Sequence, residues 1–171
     1  MSHPSKAPAM GEESGLDDNV VRIYRCAAVV KGGRRFSFSA LVVVGDRNGR
    51  VGIGYGKATE VPSAVEKGRK IATRNVRRVK LRGRTLPHKT IGQFGASRVV
   101  LLPASPGTGV IAGASARAVL ELAGVQDVLT KCYGSRNPKN VVRATFDAIT
   151  QLYQAEEIEQ RRGVKLAVVK G

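Results

Sequence analysis

The chain has 171 residues, 42% of them hydrophobic, which is enough to bury the core of one compact domain or of two small ones. It contains 29 lysines and arginines against 13 aspartates and glutamates, a formal net charge of +16. A cytosolic enzyme rarely needs such an excess, so the charge favours a polyanionic partner, on which each cation can neutralise a phosphate and release a counterion.

The first quarter of the chain predicts a tail and two strands. Residues 1–18 contain four acids and no hydrophobic period, which predicts a disordered tail, and residues 20–30 predict a strand. The central strand follows Gly32-Gly33. Its even-numbered residues 36–44 are apolar and its odd-numbered residues become apolar from Leu41, so its second half should be buried on both faces. Phe36 and Phe38 are interpreted as core residues.

The third predicted strand, residues 50–57, has glycine at every second position, at Gly52, Gly54 and Gly56. Because glycine weakens a strand, this spacing predicts that another backbone or a ligand presses on that face. The pairs Gly32-Gly33 and Asn48-Gly49 are expected to supply the positive φ that tight hairpin turns need.

A helix is predicted from Pro62 to residue 79, because proline suits a first helical turn and apolar residues follow at helical spacing. Its packed stripe is Val61, Val65, Gly68, Ala72, Val76 and Val79. A second, basic stripe consists of Lys67, Lys70, Arg74, Arg77 and Arg78, joined by Arg69. Glu66 is the only acid between residues 62 and 80, so phosphate neutralisation is favoured over a merely solvated helix face.

Charge divides the chain into two predicted domains, residues 19–85 and 86–155, with a basic linker near residues 82–85. Residues 21–85 hold 17 basic and 3 acidic side chains, whereas residues 86–155 hold 7 and 3. The second half predicts, in order, strands at 86–93 and 97–104, a glycine-rich loop at 105–113, a helix stopped by Gly124, a strand at 125–133 and a long helix that Asn137-Pro138 opens. Residues 156–171 form an unplaced C-terminal tail that reads as extended at 164–169.

Residues able to carry catalysis or to hold a metal are scarce. Cys26 and Cys132 lie in separate predicted strands outside any CxxC or Cys/His cluster, and are interpreted as buried free thiols in a reducing cytoplasm. With His3 and His88 as the only histidines, no catalytic set, metal site or cofactor is expected. No apolar run reaches the roughly 20 residues of a membrane helix, and the acidic N-terminus predicts no signal peptide.

Two glycine-rich segments weakly resemble phosphate loops. Residues 52–57 lack the GxxxxGK[ST] spacing of a nucleotide-binding loop. Residues 103–113 lead into a helix that could hold phosphate on backbone N–H groups. This loop loosely resembles that of the galactokinase and homoserine kinase group, but those enzymes need a longer chain and an acidic catalytic residue. A structural role is the favoured interpretation of both segments.

The order of the motifs resembles one known family over roughly residues 20–150. The segments that carry the resemblance are VKGGR at 30–34, FSF at 36–38, ALVVVGD at 40–46, GRVGIGYGKA at 49–58, EVP at 60–62, PASPGTGVIAG at 103–113, RAVLE at 117–121, NP at 137–138 and NVVRAT at 140–145. They are similar to the family of bacterial small-subunit ribosomal protein five. Ala114 stands where that family usually has glycine, and Lys139 stands where it usually has an apolar residue, so Lys139 is a candidate for an added contact.

The resemblance implies an α+β fold with two parts. The first is a double-stranded-RNA-binding-like domain of three antiparallel strands plus a helix, and the second is a two-layer α/β domain with a left-handed βαβ crossover. General chemistry alone would predict a right-handed crossover. The resemblance also implies a cytoplasmic, non-enzymatic constituent of the small ribosomal subunit. Such a protein binds small-subunit rRNA, touches ribosomal proteins four and eight, borders the messenger-RNA entry channel and helps to set decoding accuracy, with no membrane or small-molecule partner.

The residues expected to contact partners form three groups. The loop Lys31, Gly32, Gly33, Arg34 and Arg35 is implied to reach rRNA beside the spectinomycin site, with its glycines allowing close approach of the backbone. Phosphates should be neutralised by Lys57, Lys67, Lys70, Arg74, Arg77 and Arg78. The surface containing Gly107, Gly109 and Arg117 is implied to face ribosomal protein four. A free-standing double-stranded-RNA binder and a small-molecule kinase that binds ATP through residues 107–113 are the rival functions.

Overall fold

The computed structural model describes residues 15–163, which form eight strands and four helices. In chain order these are β1 (Asp17–Val30), β2 (Gly33–Gly45), β3 (Arg50–Ala58), α1 (Val61–Arg74), β4 (Arg77–Arg78), β5 (Thr90–Phe94), β6 (Ser97–Pro103), β7 (Val110–Ile111), α2 (Ala114–Ala123), β8 (Val128–Gly134), α3 (Pro138–Thr150) and α4 (Ala155–Arg162). The α+β class is therefore confirmed. None of the helices in this part of the chain combines the length and apolar character that a membrane crossing requires.

The first sheet is antiparallel, with the strand order β1-β2-β3-β4. Three long strands followed by a helix are the arrangement predicted for this half. β1 begins at Asp17, inside the segment for which a disordered tail was expected, while residues 1–14 of that segment lie outside the described residues. β2 is the only strand of the three with a neighbour on both sides along its second half, which explains why that half is almost fully buried.

The two faces of this sheet are covered by different partners. On one face Ala40, Val42 and Val44 pack with Ala64 and Ala72 of α1 in a small separate cluster. On the other face the neighbouring residues Leu41, Val43 and Val51 join the main core, which continues into the second half of the chain. The prediction that the central strand is apolar on both sides because both sides are buried is confirmed.

The alternating glycines of β3 lie directly under α1. A Cβ atom on Gly52, Gly54 or Gly56 would come 2.2, 2.0 or 2.1 Å from a helix carbonyl oxygen, those of Ala72, Gly68 and Ala64 respectively. No real Cβ atom sits so close to a backbone oxygen. The predicted close approach of another backbone is confirmed, and that backbone is the helix of the same domain.

Helix α1 ends at Arg74, so the prediction that it continues to residue 79 is wrong. Asn75 closes it with its backbone N–H bonded to the carbonyls of Ile71 and Ala72, and its side-chain amide donates to the Ile53 carbonyl across the sheet. The chain then returns to β3 as the edge strand β4. Pairing with β3 therefore replaces the last predicted helical turn.

The second sheet has the strand order β5-β6-β8-β7, and α2 connects the parallel strands β7 and β8. Two predicted boundaries are confirmed: Gly124 ends α2 at φ +91°, and the Asn137 side chain caps α3 by accepting the Lys139 N–H. β7 was not predicted, because two residues inside a glycine-rich loop carry no strand period. The hand of the β7-α2-β8 crossover stays a prediction from the family resemblance.

The β2–β3 turn docks on the end of α2 and joins the two halves. The backbone N–H groups of Arg47 and Gly49 donate to the carbonyls of Leu122 and Ala123 at 3.0 Å each, so the turn satisfies carbonyls that the helix end leaves free. Positive φ was predicted for Asn48 and Gly49. Gly49 has it, at 90°, but the other residue with positive φ is Arg47, at 56°, so the prediction for Asn48 is wrong. Since the halves share this junction and one core, their independence as domains stays a prediction.

Hydrogen bonds to the Asp46 side chain stabilise the conformation of the β2–β3 turn. Its carboxylate accepts the backbone N–H groups of Asn48 and Arg50 at 2.8 and 2.9 Å, and the Arg50 Nε–H at 2.9 Å. Burial alone would raise the pKa of this carboxyl. The hydrogen bonds from the Arg50 side chain and from the two backbone groups outweigh burial, so the pKa of Asp46 lies below its ordinary value of 3.8.

Replacing Asp46 with asparagine should cost about 1–3 kcal/mol of unfolding free energy at neutral pH, because the amide cannot accept all of these bonds. A lowered pKa in the folded state gives stability that is present above the unfolded value and is lost as pH falls through the folded value. The difference between wild type and Asp46→Asn should therefore shrink below about pH 4. Urea unfolding from neutral pH to pH 3, with the exposed Asp18→Asn as control, tests this, and a difference that does not change with pH contradicts it.

The chain after α3 folds back on the linker. Lys80 pairs with Glu157 of α4, and the cations of Lys80 and Arg161 lie 5.3 and 4.9 Å from the centroid of the Tyr153 ring. The first part of the predicted C-terminal tail is therefore helical, whereas the extended segment 164–169 lies outside the described residues.

Both cysteines are free and lie in strands, as predicted. Each is partly buried, so the interpretation of both as buried thiols is confirmed only in part. Cys26 lies on β1, an edge strand that has a neighbouring strand, β2, on one side only. Partial burial raises the pKa of the Cys132 thiol, against a smaller opposing effect of the Arg136 charge.

Candidate nucleic-acid interface

The β1–β2 hairpin extends beyond the rest of the first sheet. The last pair between β2 and β3 joins Phe38 to Ala58, whereas β2 continues to pair with β1 as far as Gly33. The five residues from Gly33 to Ser37 thus form a two-stranded ribbon that projects about 17 Å at the usual rise per residue. The predicted loop from Lys31 to Arg35 is the tip of this ribbon, and all five of its residues are exposed.

The two glycines of the tip differ in whether the fold requires them. Gly33 has φ +141°, a conformation that favours glycine. Gly32 has no such φ, and no atom of residues 15–163 lies within 4 Å of the position that its Cβ would take. The fold itself therefore requires glycine at position 33 but leaves open space around position 32.

One face of the ribbon carries exposed aromatic and basic side chains. Phe36 is 46% exposed, and the Arg25 guanidinium lies 3.8 Å from its ring centroid. The prediction that Phe36 belongs to the core is wrong, because it lies on the projecting part where β1 is the only strand paired with β2. Phe38, at the base of the ribbon, is half-buried against the α1 cluster and fits the prediction in part.

Three of the predicted phosphate-binding lysines surround one open cleft of about 480 Å³. Lys57 comes from the end of β3, and Lys67 and Lys70 come from α1. The cleft lies at the first turns of α1, where backbone N–H groups carry a partial positive charge. Hydroxyl groups also line the cleft, on Ser37, Thr59 and Ser63. They were not predicted, because isolated serines and threonines give no signal in the sequence.

Glu66 also lines this cleft and forms an exposed ion pair with Lys70, with Oε1 and Nζ 2.7 Å apart. The hydrogen bond from Lys70, followed by the Lys70 charge, lowers the pKa of Glu66 below its ordinary value. Glu66 is therefore an internal competitor for one of the three lysines of the cleft.

The remaining predicted cations do not form one row. Arg74 lies in the last turn of α1, one turn from Lys70 on the same side, as predicted. Arg77 and Arg78 lie in β4, where successive side chains point to opposite faces of a sheet, so their placement on the helix stripe is wrong. Both are exposed, but only one of them can face the same way as the helix cations.

The predicted protein-partner surface lies on the second half. Gly109 and Gly107 have φ of +76° and +89°. The buried Asp127 carboxylate accepts the Gly109 N–H at 2.9 Å, and the exposed Arg117 donates from Nη2 to the Val110 carbonyl at 3.2 Å. The hydrogen bond from Gly109 to Asp127 thus fixes the loop, and the hydrogen bond to Val110 keeps the Arg117 side chain next to it. Because Val110 and Ile111 pair with β8, this segment is a strand-forming connection and differs from an open phosphate loop.

Comparisons with known proteins agree over nearly the whole chain. Residues 16–80 match the family model described as "Ribosomal protein S5, N-terminal domain", and residues 92–162 match "Ribosomal protein S5, C-terminal domain". A protein of Rhodopirellula baltica named "Small ribosomal subunit protein uS5" is 54% identical over 94% of this chain and 90% of its own length. Proteins with the same name from Syntrophobacter fumaroxidans and Psychromonas ingrahamii are 57% and 52% identical, over 86% and 96% of this chain and 89% and 99% of their own lengths.

Proposed function

The chain belongs to the ribosomal protein S5 family, and from this membership and the placement of its cations we propose that it is a structural component of the bacterial small ribosomal subunit that binds small-subunit rRNA. The family consists of ribosomal structural proteins and not of enzymes, which removes the support for the kinase alternative. We expect the protein in the cytoplasm, within that subunit.

The observation that carries the RNA-binding part is the joint placement of the ribbon and the cleft. Ser37 lines the cleft and also ends the projecting part of β2, so the two basic features share one edge of the first sheet. The tip offers Lys31, Arg34 and Arg35 on an arm long enough to enter a groove between RNA helices. The cleft offers Lys57, Lys67 and Lys70 to the backbone of an adjoining helix.

The two features favour recognition of RNA by backbone and shape. Hydroxyl and ammonium groups in the cleft are donors suited to phosphate oxygens, and the open space around Gly32 allows an RNA backbone to approach the tip closely. The chain has four phenylalanines, four tyrosines and no tryptophan, too few to make base stacking the main device.

We extend the proposal to the finer roles that the family resemblance implies. The loop with Gly107, Gly109 and Arg117 would contact ribosomal protein four, ribosomal protein eight would be a second protein neighbour, and the assembled protein would border the messenger-RNA entry channel and influence decoding accuracy. The fixed geometry of Gly109 and Arg117 supports a protein contact there, because a rigid surface loses little conformational freedom on binding.

Co-sedimentation of the native protein with small subunits tests the central proposal. We expect the protein to remain with washed small subunits and to bind protein-free generic RNA duplexes far more weakly at the same salt concentration. Equal binding to both would support a free-standing double-stranded-RNA binder and overturn the proposal. Binding of ATP in calorimetry would instead support the kinase alternative.

Replacing Glu66 with glutamine should raise the affinity for small-subunit rRNA roughly two- to five-fold, because it releases Lys70 from an exposed ion pair of modest strength. Fluorescence anisotropy at fixed salt concentration measures the change. Glu60→Gln removes the same charge from the residue that precedes α1, which makes no side-chain capping bond and does not line the cleft. An equal gain in both variants would show a general charge effect and contradict a role for the cleft.

A further inference from the structure

A dense basic segment connects the first sheet to the second half of the chain. Five of the eight residues from 77 to 84 are basic and none is acidic. These five are Arg77, Arg78, Lys80, Arg82 and Arg84. Val79 and Leu81 pack into the main core. The residues that alternate with them, Arg78, Lys80 and Arg82, therefore face outward and are here called the basic row.

Helix α4 covers the middle of the basic row. Arg78 and Arg82 are exposed, and neither forms an ion pair within residues 15–163. Lys80 is half-buried because its ammonium group pairs with the Glu157 carboxylate and lies 5.3 Å from the centroid of the Tyr153 ring. The chain's own α4 segment thus separates Lys80 from the two free cations on either side of it.

The segment that covers Lys80 is acidic at its start. Glu156, Glu157 and Glu159 all lie within the first five residues of α4. A carboxylate and a phosphate group both present anionic oxygens that accept charge-assisted hydrogen bonds from an ammonium group. Glu157 therefore occupies the position at Lys80 that an RNA phosphate would take if the whole basic row bound one strand.

Packing contributes little to the attachment of α4. None of its residues is buried, and neither hydrophobic cluster includes one of its side chains. Leu152, just before it, is buried in the main core, and the Tyr153 backbone N–H donates to Nε2 of His88 at 3.2 Å. The helix can therefore move away from Lys80 with little loss of apolar burial, while Leu152 keeps the preceding chain in place.

We propose that α4 is an autoinhibitory cover on a further phosphate-binding site, the basic row, and that RNA of the small subunit displaces Glu157 from Lys80. This inference rests on the proposed function, because the displacing ligand is the RNA that the first sheet binds. An RNA backbone contacts all three cations of the row and releases their counterions, whereas Glu157 supplies one carboxylate to one of them. The cover therefore excludes polyanions that cannot bind Arg78 and Arg82 at the same time.

A double-mutant cycle tests the displacement. Glu157→Gln should raise the affinity for small-subunit rRNA roughly three- to ten-fold, because RNA no longer competes with a half-buried ion pair for Lys80. In a Lys80→Gln background the same substitution should change the affinity less than about two-fold, since no ion pair remains to be broken. Equal gains in the two backgrounds, or a lower affinity of Glu157→Gln, would overturn the cover.

Glu156→Gln is the matched control for the cycle. It removes the same charge one residue away, from an exposed side chain that forms no ion pair within residues 15–163. Its gain in affinity should stay below about two-fold. A gain equal to that of Glu157→Gln would show a general charge effect and overturn the cover alone. If the wild-type protein does not bind small-subunit rRNA, the proposed function fails and the cover fails with it.

A single tryptophan reports whether α4 leaves Lys80. The chain contains no tryptophan, so Tyr153→Trp introduces one reporter, and an indole ring preserves the cation–π contact with Lys80. Its emission should move to longer wavelength when small-subunit rRNA binds, because the ring loses Lys80 and becomes more exposed to water. Adding Glu157→Gln should produce part of this change without RNA. Unchanged emission at saturating rRNA, or a move to shorter wavelength, would show that α4 is not displaced into water and would contradict the proposal.

Discussion

Replacing Gly54 with alanine is expected to lower the free energy of unfolding by about 3 kcal/mol or more. The added Cβ would lie 2.0 Å from the Gly68 carbonyl oxygen and 2.6 Å from the Ala72 backbone nitrogen. Both are backbone atoms of α1 and cannot rotate away as a side chain would. The helix must therefore move off the sheet, which opens the cluster of Ala40, Val42 and Ala64.

Gly32→Ala is the matched control for this prediction. It makes the same chemical change in the β1–β2 turn of the same sheet, but no atom of residues 15–163 lies within 4 Å of the new Cβ and the backbone has no positive φ. Its effect on stability should stay within about 0.5 kcal/mol of wild type. Urea unfolding followed by circular dichroism measures both variants, and equal destabilisation by the two would show that helix contact is not the reason for the glycine.

The β3 glycines show how far sequence reasoning reaches for this fold. A period of two in glycine predicts that something approaches the strand closely, because nothing else offsets the loss of strand stability. It does not distinguish a helix backbone from a ligand. That distinction depends on where α1 crosses the sheet, and the crossing is fixed by Gly68 and Ala72, whose small size has meaning only when paired with β3.

The two hairpin turns show the opposite case. Gly32-Gly33 and Asn48-Gly49 are similar signals, each flanked by basic residues, yet one turn projects into solvent and the other docks on α2. The difference comes from the carbonyls of Leu122 and Ala123, which lie more than seventy residues away in the sequence. A local pattern predicts that a turn exists but cannot predict what the turn contacts.

The candidate RNA site could also be predicted only in part, because local patterns do not show which strands and helices come together. Lys57, Lys67, Lys70 and Arg74 could be predicted from charge and helical period alone. The displacement of Arg77 and Arg78 to β4 could not, because pairing with β3 overrides the helical preference of a short basic segment.

Neutralising the cations of the cleft and helix should flatten the salt dependence of rRNA binding. Each phosphate contact contributes about 0.7–0.9 to the slope of log affinity against log salt concentration. Replacing Lys57, Lys67, Lys70 and Arg74 together with glutamine should therefore reduce the slope by about three if each binds one phosphate. Filter binding of small-subunit rRNA between roughly 50 and 200 mM salt measures it.

The matched control removes four charges from the other half of the molecule. Arg98, Lys131, Arg136 and Arg162 are all exposed, and replacing them with glutamine gives the same net charge as the cleft variant. If only net charge matters, the two variants will lose slope equally and the cleft has no special role. If the cleft and helix hold phosphates, the control should keep nearly the full slope, because counterions are released only where cations meet phosphates at contact distance.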